Sequence, residues 1–167
     1  MPKMKHARSG CGACTLGGYL YVFFGSDKPN YVQSIERLPL FESAKKQERT
    51  VWKLIPELNQ RPSVTTRENP VVCQLNETQI IIMGGTTTKK WTNDVIVFDA
   101  ETEQVQKVAA EAGRQQQMIK FHSGYNNNGV KVKGSSIVAL VRGDDEKAHL
   151  IEYATNAKTI SIIETFV

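Results

Sequence analysis

Few residues in this chain have the types and spacing that chemistry requires. Cys11-Gly12-Ala13-Cys14 is a C-x-x-C motif, which could hold a metal together with His6 and Cys73 or cycle as a redox pair. A zinc site would call for a second close ligand pair, and none follows. A redox pair would call for a helix N-terminus, but the flanking residues read as a strand. Positions three apart on a strand point to opposite faces, so the two thiols read as small core residues. His6, His122 and His149 share no short spacing with carboxylates, and no serine has the surroundings of a nucleophile elbow. Asp144-Asp145-Glu146 lacks the alternating oxygen ligands and glycine turn of a calcium loop. Gly84-Gly85-Thr86-Thr87-Thr88-Lys89 lacks the G-K-[ST] ending of a phosphate loop. No catalytic residue, metal or cofactor is expected, and the chain reads as a non-enzyme.

Binding chemistry is better represented. Tyr31 and Trp91 are aromatic residues in otherwise polar loops, Ser26 to Gln33 and Thr86 to Asn93. Aromatic and arginine side chains are enriched at interface hot spots. Lys89 and Lys90 precede Trp91, and Arg8 and Arg67 each stand near the start of a repeating unit. These six residues are the expected partner-binding set.

The elements that must position them are repeated. Three apolar runs each end in glycine: Tyr19 to Gly25, Ile80 to Gly85 and Ile137 to Gly143. The final glycines lie 60 and 58 residues apart. A second strand follows each run (Ser34 to Leu38, Asp94 to Asp99, His149 to Tyr153), and a third closes each unit (Thr50 to Ile55, Gln104 to Val108, Thr159 to Ile163). A fourth strand precedes each apolar run: Gly12 to Leu16, Pro70 to Leu75 and, more weakly, Gly129 to Val132. Gly17-Gly18 and Asn76-Glu77 read as hairpin turns. The apolar runs do not alternate with polar residues, as expected of strands covered on both faces. A helix over Ala44 to Leu58 is opposed by Pro56, Thr50 and Val51, and Ala109 to Gly113 has room for one helical turn. Four strands per unit at this period indicate β-propeller blades.

The units resemble kelch repeats. The first carries Arg8-Ser9-Gly10, the Gly17-Gly18 turn, Tyr21, Gly25 and Trp52; the second carries Arg67, Gly84-Gly85 and Phe98-Asp99; the third carries Gly143 and Tyr153. Phe24-Gly25 replaces a double glycine, Val105 and Ile160 stand where tryptophan is usual, and Tyr125 to Gly129 is an asparagine-rich insertion. The resemblance implies an all-β, kelch-type β-propeller of three four-stranded antiparallel blades, over about 7–58, 61–110 and 114–167. It implies a protein–protein interaction module or scaffold that contacts a partner through its loops, with the repeat arginines directed toward the central cavity. A kelch-like propeller enzyme or metal-binding protein is the alternative. Propellers of this family close with about six blades. Three blades therefore form a partial ring, to be completed by more chain, by a second copy or by another subunit.

Composition sets the remaining bounds. The chain has 167 residues, 40% of them hydrophobic and 23% charged, which suits one domain with a buried core. The net charge of +4 comes from scattered lysines and arginines, without the stripe that nucleic acid would require. No apolar run has the length of a membrane span or of a signal peptide. With three cysteines, an odd number, reduced thiols and a cytoplasmic location are expected.

Overall fold

The computed structural model describes residues 2–40, 51–55, 66–87, 90–108, 111–112, 121–122, 130–132, 136–143 and 145–166. Every regular element among them is a strand. The first sheet is formed by β1 (Gly12–Leu16), β2 (Tyr19–Phe23), β5 (Ile35–Pro39) and β6 (Lys53–Ile55), in that order and antiparallel throughout. The second is formed by β7 (Val71–Gln74), β8 (Gln79–Met83), β11 (Val95–Asp99) and β12 (Gln104–Val108), again antiparallel. Two small hairpins leave these sheets: β3 (Ser26–Asp27) with β4 (Asn30–Tyr31), and β9 (Thr86–Thr87) with β10 (Lys90–Trp91).

The third sheet is larger. Its body is β16 (Ser136–Gly143), β17 (Ala148–Ala154) and β18 (Thr159–Phe166), with β15 (Val130–Val132) and β14 (Phe121–His122) both pairing with β16. The expected four-stranded blade is present, with additions. One of these corrects the sequence reading: Glu111–Ala112, assigned to a possible helical turn, is strand β13 and pairs parallel to β18 at the sheet edge. Backbone ladder bonds along Thr159–Ile160 hold it, which a local propensity argument does not capture. The asparagine-rich insertion, Tyr125 to Gly129, falls outside the described residues.

The turns follow the local sequence. Gly17 and Gly18 both have positive φ, 57° and 81°, as a two-residue hairpin turn with the twist of its strands demands. At the matching bend of the second sheet, the Asn76 side-chain oxygen accepts the amides of Thr78 and Gln79.

Alternate residues of the apolar runs enter different cores. Tyr21 and Phe23 of β2 join Ile80 and Ile82 of β8 in a core between the first two sheets. Ile81 and Met83 face the other way, packing with Ile137, Ala139, Val141, Ile151 and Tyr153 of the third sheet. Each fully buried aliphatic side chain contributes about 1.5–3 kcal/mol, so the uninterrupted Ile80–Met83 run binds both neighbours. Val105 and Ile160, at the positions where tryptophan is usual, are buried as well. Among the described residues the three sheets stand side by side and do not close into a ring.

The outer face of the first sheet has its own cover. Met4 packs on Val22, Leu38 and Trp52, and Trp52 Nε1 donates to the Pro2 carbonyl at 3.1 Å. The buried Glu36 carboxylate holds this N-terminal arm by accepting the amides of Lys5 at 2.6 Å and His6 at 3.0 Å.

Candidate interaction site

The two small hairpins are built alike. Ser26 pairs with Tyr31 and Asp27 with Asn30; Thr86 pairs with Trp91 and Thr87 with Lys90. Tyr31 and Trp91 thus occupy the same place in successive units. Each hairpin is anchored to the segment that enters its sheet. Ser9 and Ser26 exchange backbone hydrogen bonds of 2.8 and 2.9 Å, and Glu68 and Thr86 do so at 2.9 and 2.8 Å. Val32 N–H donates to Gly25 C=O, and Thr92 N–H donates to Gly85 C=O, each at 2.9 Å.

This closure explains the glycine that ends each of the first two apolar runs. Gly25 has φ 96° and Gly85 φ 102°, and a Cβ there would lie 2.6 Å from the Ser9 carbonyl oxygen or 2.7 Å from that of Glu68. The anchoring strand approaches the backbone too closely for any side chain.

Arg8 and Arg67 lie inside this arrangement. Arg8 donates to the carbonyls of Phe24 at 3.0 Å and Ser34 at 2.8 Å, to Ser34 Oγ, and to Glu36 Oε1 at 2.5 Å. Arg67 donates to the carbonyls of Gly84 at 3.0 Å and Asp94 at 3.4 Å, with the Asp94 carboxylate 3.8 Å away. Phe24 and Ser34 stand 60 residues before Gly84 and Asp94, so one clamp is built twice. Arg67 is 0% exposed, and burial lowers its pKa to about 10 against the partial offset of Asp94. The resemblance directs these arginines to a cavity; the structure places them as clamps across the bases of the hairpins.

A cleft of 460 Å³ opens beside the first hairpin, lined by Lys5, His6, Asp27, Tyr31, Val32 and Leu54 among others. His6 Nδ1 is 3.1 Å from Ser34 Oγ and 3.6 Å from Glu36 Oε1. Tyr31 and Trp91 are half-buried and Lys90 is exposed, while Lys89 lies outside the described residues. Sequence reasoning missed the cleft, because its wall comes from the N-terminal arm, far away in the chain.

Of the remaining chemistry-bearing residues, Cys73 and His149 are buried and Cys11 and Cys14 are half-buried. Cys11, just before β1, packs toward Val22 and Trp52, and Cys14, within β1, toward the core between the first two sheets. Burial raises the Cys14 thiol to about 11, helped by neighbouring Cys73. His149 is buried between Asp145, 2.8 Å from Nε2, and Thr165, 3.0 Å from Nδ1, and closes the short β16–β17 turn. Among the described residues no three His, Cys, Asp or Glu side chains gather as a metal site, and no helix is long and apolar enough to cross a membrane.

Residues 7–38, which contain the first clamp, the Gly17-Gly18 turn and the Gly25 closure, match the family model of the kelch motif. The chain carries a kelch repeat. Curated proteins yield no match to the chain. The second sheet repeats the kelch arrangement of the first, from the Arg67 clamp to the Gly85 closure, and the third keeps its strand order. Among the described residues, a hairpin follows the closing glycine in the first two sheets only. In the third, Gly143 N–H donates directly to Lys147 C=O at 2.9 Å, and the connection is short.

Proposed function

We propose that this chain is a protein-interaction module of the kelch type that holds its partner on the paired hairpins of its first two blades. Tyr31 and Trp91 are the anchors, with Lys90 and Lys89 beside Trp91 and the neighbouring cleft taking a partner side chain. The observation that carries this reading is the equivalence of Tyr31 and Trp91. Two half-buried aromatics stand at one position of two hairpins, each held rigid by backbone bonds and an arginine clamp. Rigid aromatics with a polar surround supply contact area at little entropic cost. Arg8 and Arg67 contribute by fixing the hairpins rather than by touching the partner. All three cysteines are free, which fits a reducing, cytoplasmic setting.

The test is an affinity capture with quantitative mass spectrometry, comparing the wild-type chain with the Tyr31→Ala/Trp91→Ala double variant. A partner enriched by the wild type and lost from the variant, with an unchanged unfolding midpoint, supports the proposal. Equal capture by both overturns it.

A further inference from the structure

The charges around the two hairpins are one-sided. Most carboxylates there are already engaged within the fold. Glu36 is taken by Arg8 and by the amides of Lys5 and His6. Glu68 accepts the Ser26 hydroxyl, and Asp94 pairs with Lys107 at 2.8 Å, with Arg67 behind it at 3.8 Å. Among the described residues at the hairpins, Asp27 is the carboxylate left exposed. Lys5, Lys28 and Lys90 are exposed at the same place, and none of them has a carboxylate partner among the described residues. At the corresponding turn of the third blade, Asp145 and Glu146 stand beside Lys147, so the positive excess belongs to the first two blades. The surface beside these lysines is apolar. Ala7, Val32, Leu54 and Ile55 line the cleft next to Tyr31, and Trp91 holds the matching position in the next blade.

We infer that the partner held by these hairpins is an acidic peptide segment. An apolar side chain of that segment enters the cleft beside Tyr31, and the Asp or Glu side chains flanking it meet Lys5, Lys28 and Lys90. The inference rests on the proposed anchoring role of Tyr31 and Trp91 and adds the chemistry of what they anchor. Exposed charges of this kind steer encounter and exclude wrong partners more than they add affinity, while the aromatics supply the contact energy. Nucleic acid fits the surface less well. It brings no aliphatic side chain to the cleft, Asp27 would stand against its phosphates, and three lysines on three separate segments make no continuous stripe.

The test is selection of a phage-displayed library of short random peptides on the immobilised full chain, followed by fluorescence anisotropy of the enriched peptides. These should carry an excess of Asp and Glu around an aliphatic or aromatic residue. Lys5→Glu, Lys28→Glu and Lys90→Glu should each weaken their binding about fivefold, and raising the salt to about 0.5 M should weaken it about tenfold. Lys158→Glu makes the same change in net charge at the β17–β18 turn, the far end of the third sheet from Gly143, and should leave binding unchanged. Tyr31→Ala/Trp91→Ala should weaken it about a hundredfold. All four lysines are exposed, and far-UV circular dichroism with the unfolding midpoint checks the fold of each variant. Enriched peptides that lack the acidic excess but still depend on Tyr31 and Trp91 would overturn this inference and leave the hairpin reading standing. Acidic peptides bound equally by Tyr31→Ala/Trp91→Ala would overturn both. No enrichment over a blank surface, equal weakening by Lys158→Glu, or tighter binding of a single-stranded oligonucleotide of equal charge would also overturn it.

Discussion

The backbone carbonyl of Arg67 accepts the amide of Gly25 at 2.9 Å, joining the closing glycine of one blade to the clamp of the next. The Arg67 guanidinium also lies over the Phe24 ring, 5.9 Å from its centroid. Nearby, Asn69 N–H donates to Gly10 C=O at 2.7 Å, and Ser26 Oγ bonds the Glu68 carboxylate. Elsewhere on the same joint Arg37 bridges to Glu103 at 2.7 Å. The first two blades are therefore held by polar contacts as well as by the apolar core between them, and Arg67 belongs to both blades.

Arg67→Met should consequently destabilise the fold far more than removal of a surface charge would. It takes a buried donor from the Gly84 carbonyl and the second of two donors from the Asp94 carbonyl, which keeps the Gly84 amide, a loss of about 2–4 kcal/mol. Urea denaturation checks this, and a midpoint close to wild type would contradict the clamp.

The closing glycines should tolerate no side chain. Gly85→Ala combines a φ of 102° with a carbonyl oxygen 2.7 Å from the new Cβ, and should cost about 2 kcal/mol or more. Gly17→Ala has a similar backbone problem at φ 57° but open space, and should cost about 1 kcal/mol. Thermal unfolding of the two variants side by side reads the difference. Equal losses would mean that the close approach of the anchoring segment does not matter.

The thiols should be slow. With its pKa raised from 9.0 to about 11, Cys14 carries about a hundredfold less thiolate at neutral pH than a thiol at the unshifted value. Iodoacetamide labelling followed by peptide mass spectrometry should modify Cys14 rapidly only after denaturation. Fast labelling of the native protein would show that the joint between the first two blades is open.

The Asp145–His149 pair gives the third blade an acid limit. His149 holds the Asp145 carboxyl below its usual range. A depressed carboxyl contributes stability that is present above its unfolded value and is lost as pH falls through its folded value. Asp145→Asn should therefore flatten the fall in stability on the acid side of the ordinary carboxylate range. An unchanged acid limb would remove Asp145 from that role.

Strand order and the burial of both faces were legible because they are local. The Ile80–Met83 run can avoid water on both faces only between two neighbours, and its closing glycines mark where the backbone must turn. The Tyr31–Trp91 equivalence was half visible, since both residues stood out as aromatics but their shared hairpin position depends on pairing with Ser26 and Thr86. The role of Arg8 and Arg67 was not legible. A long cation reads the same in sequence whether it faces solvent or caps carbonyls 16 and 17 residues away. The cover over Trp52 was equally hidden, because its contact with Pro2 spans 50 residues with no pattern to announce it.

The account depends most on the second blade serving two cores at once, and methyl nuclear Overhauser contacts measure that directly. Ile80 and Ile82 should show contacts with Tyr21, Phe23 and Phe98, while Ile81 should show them with Ile137, Ile151 and Tyr153. Contacts from all three isoleucines to a single set of residues, or from none of them to the third sheet, would contradict the arrangement of successive blades.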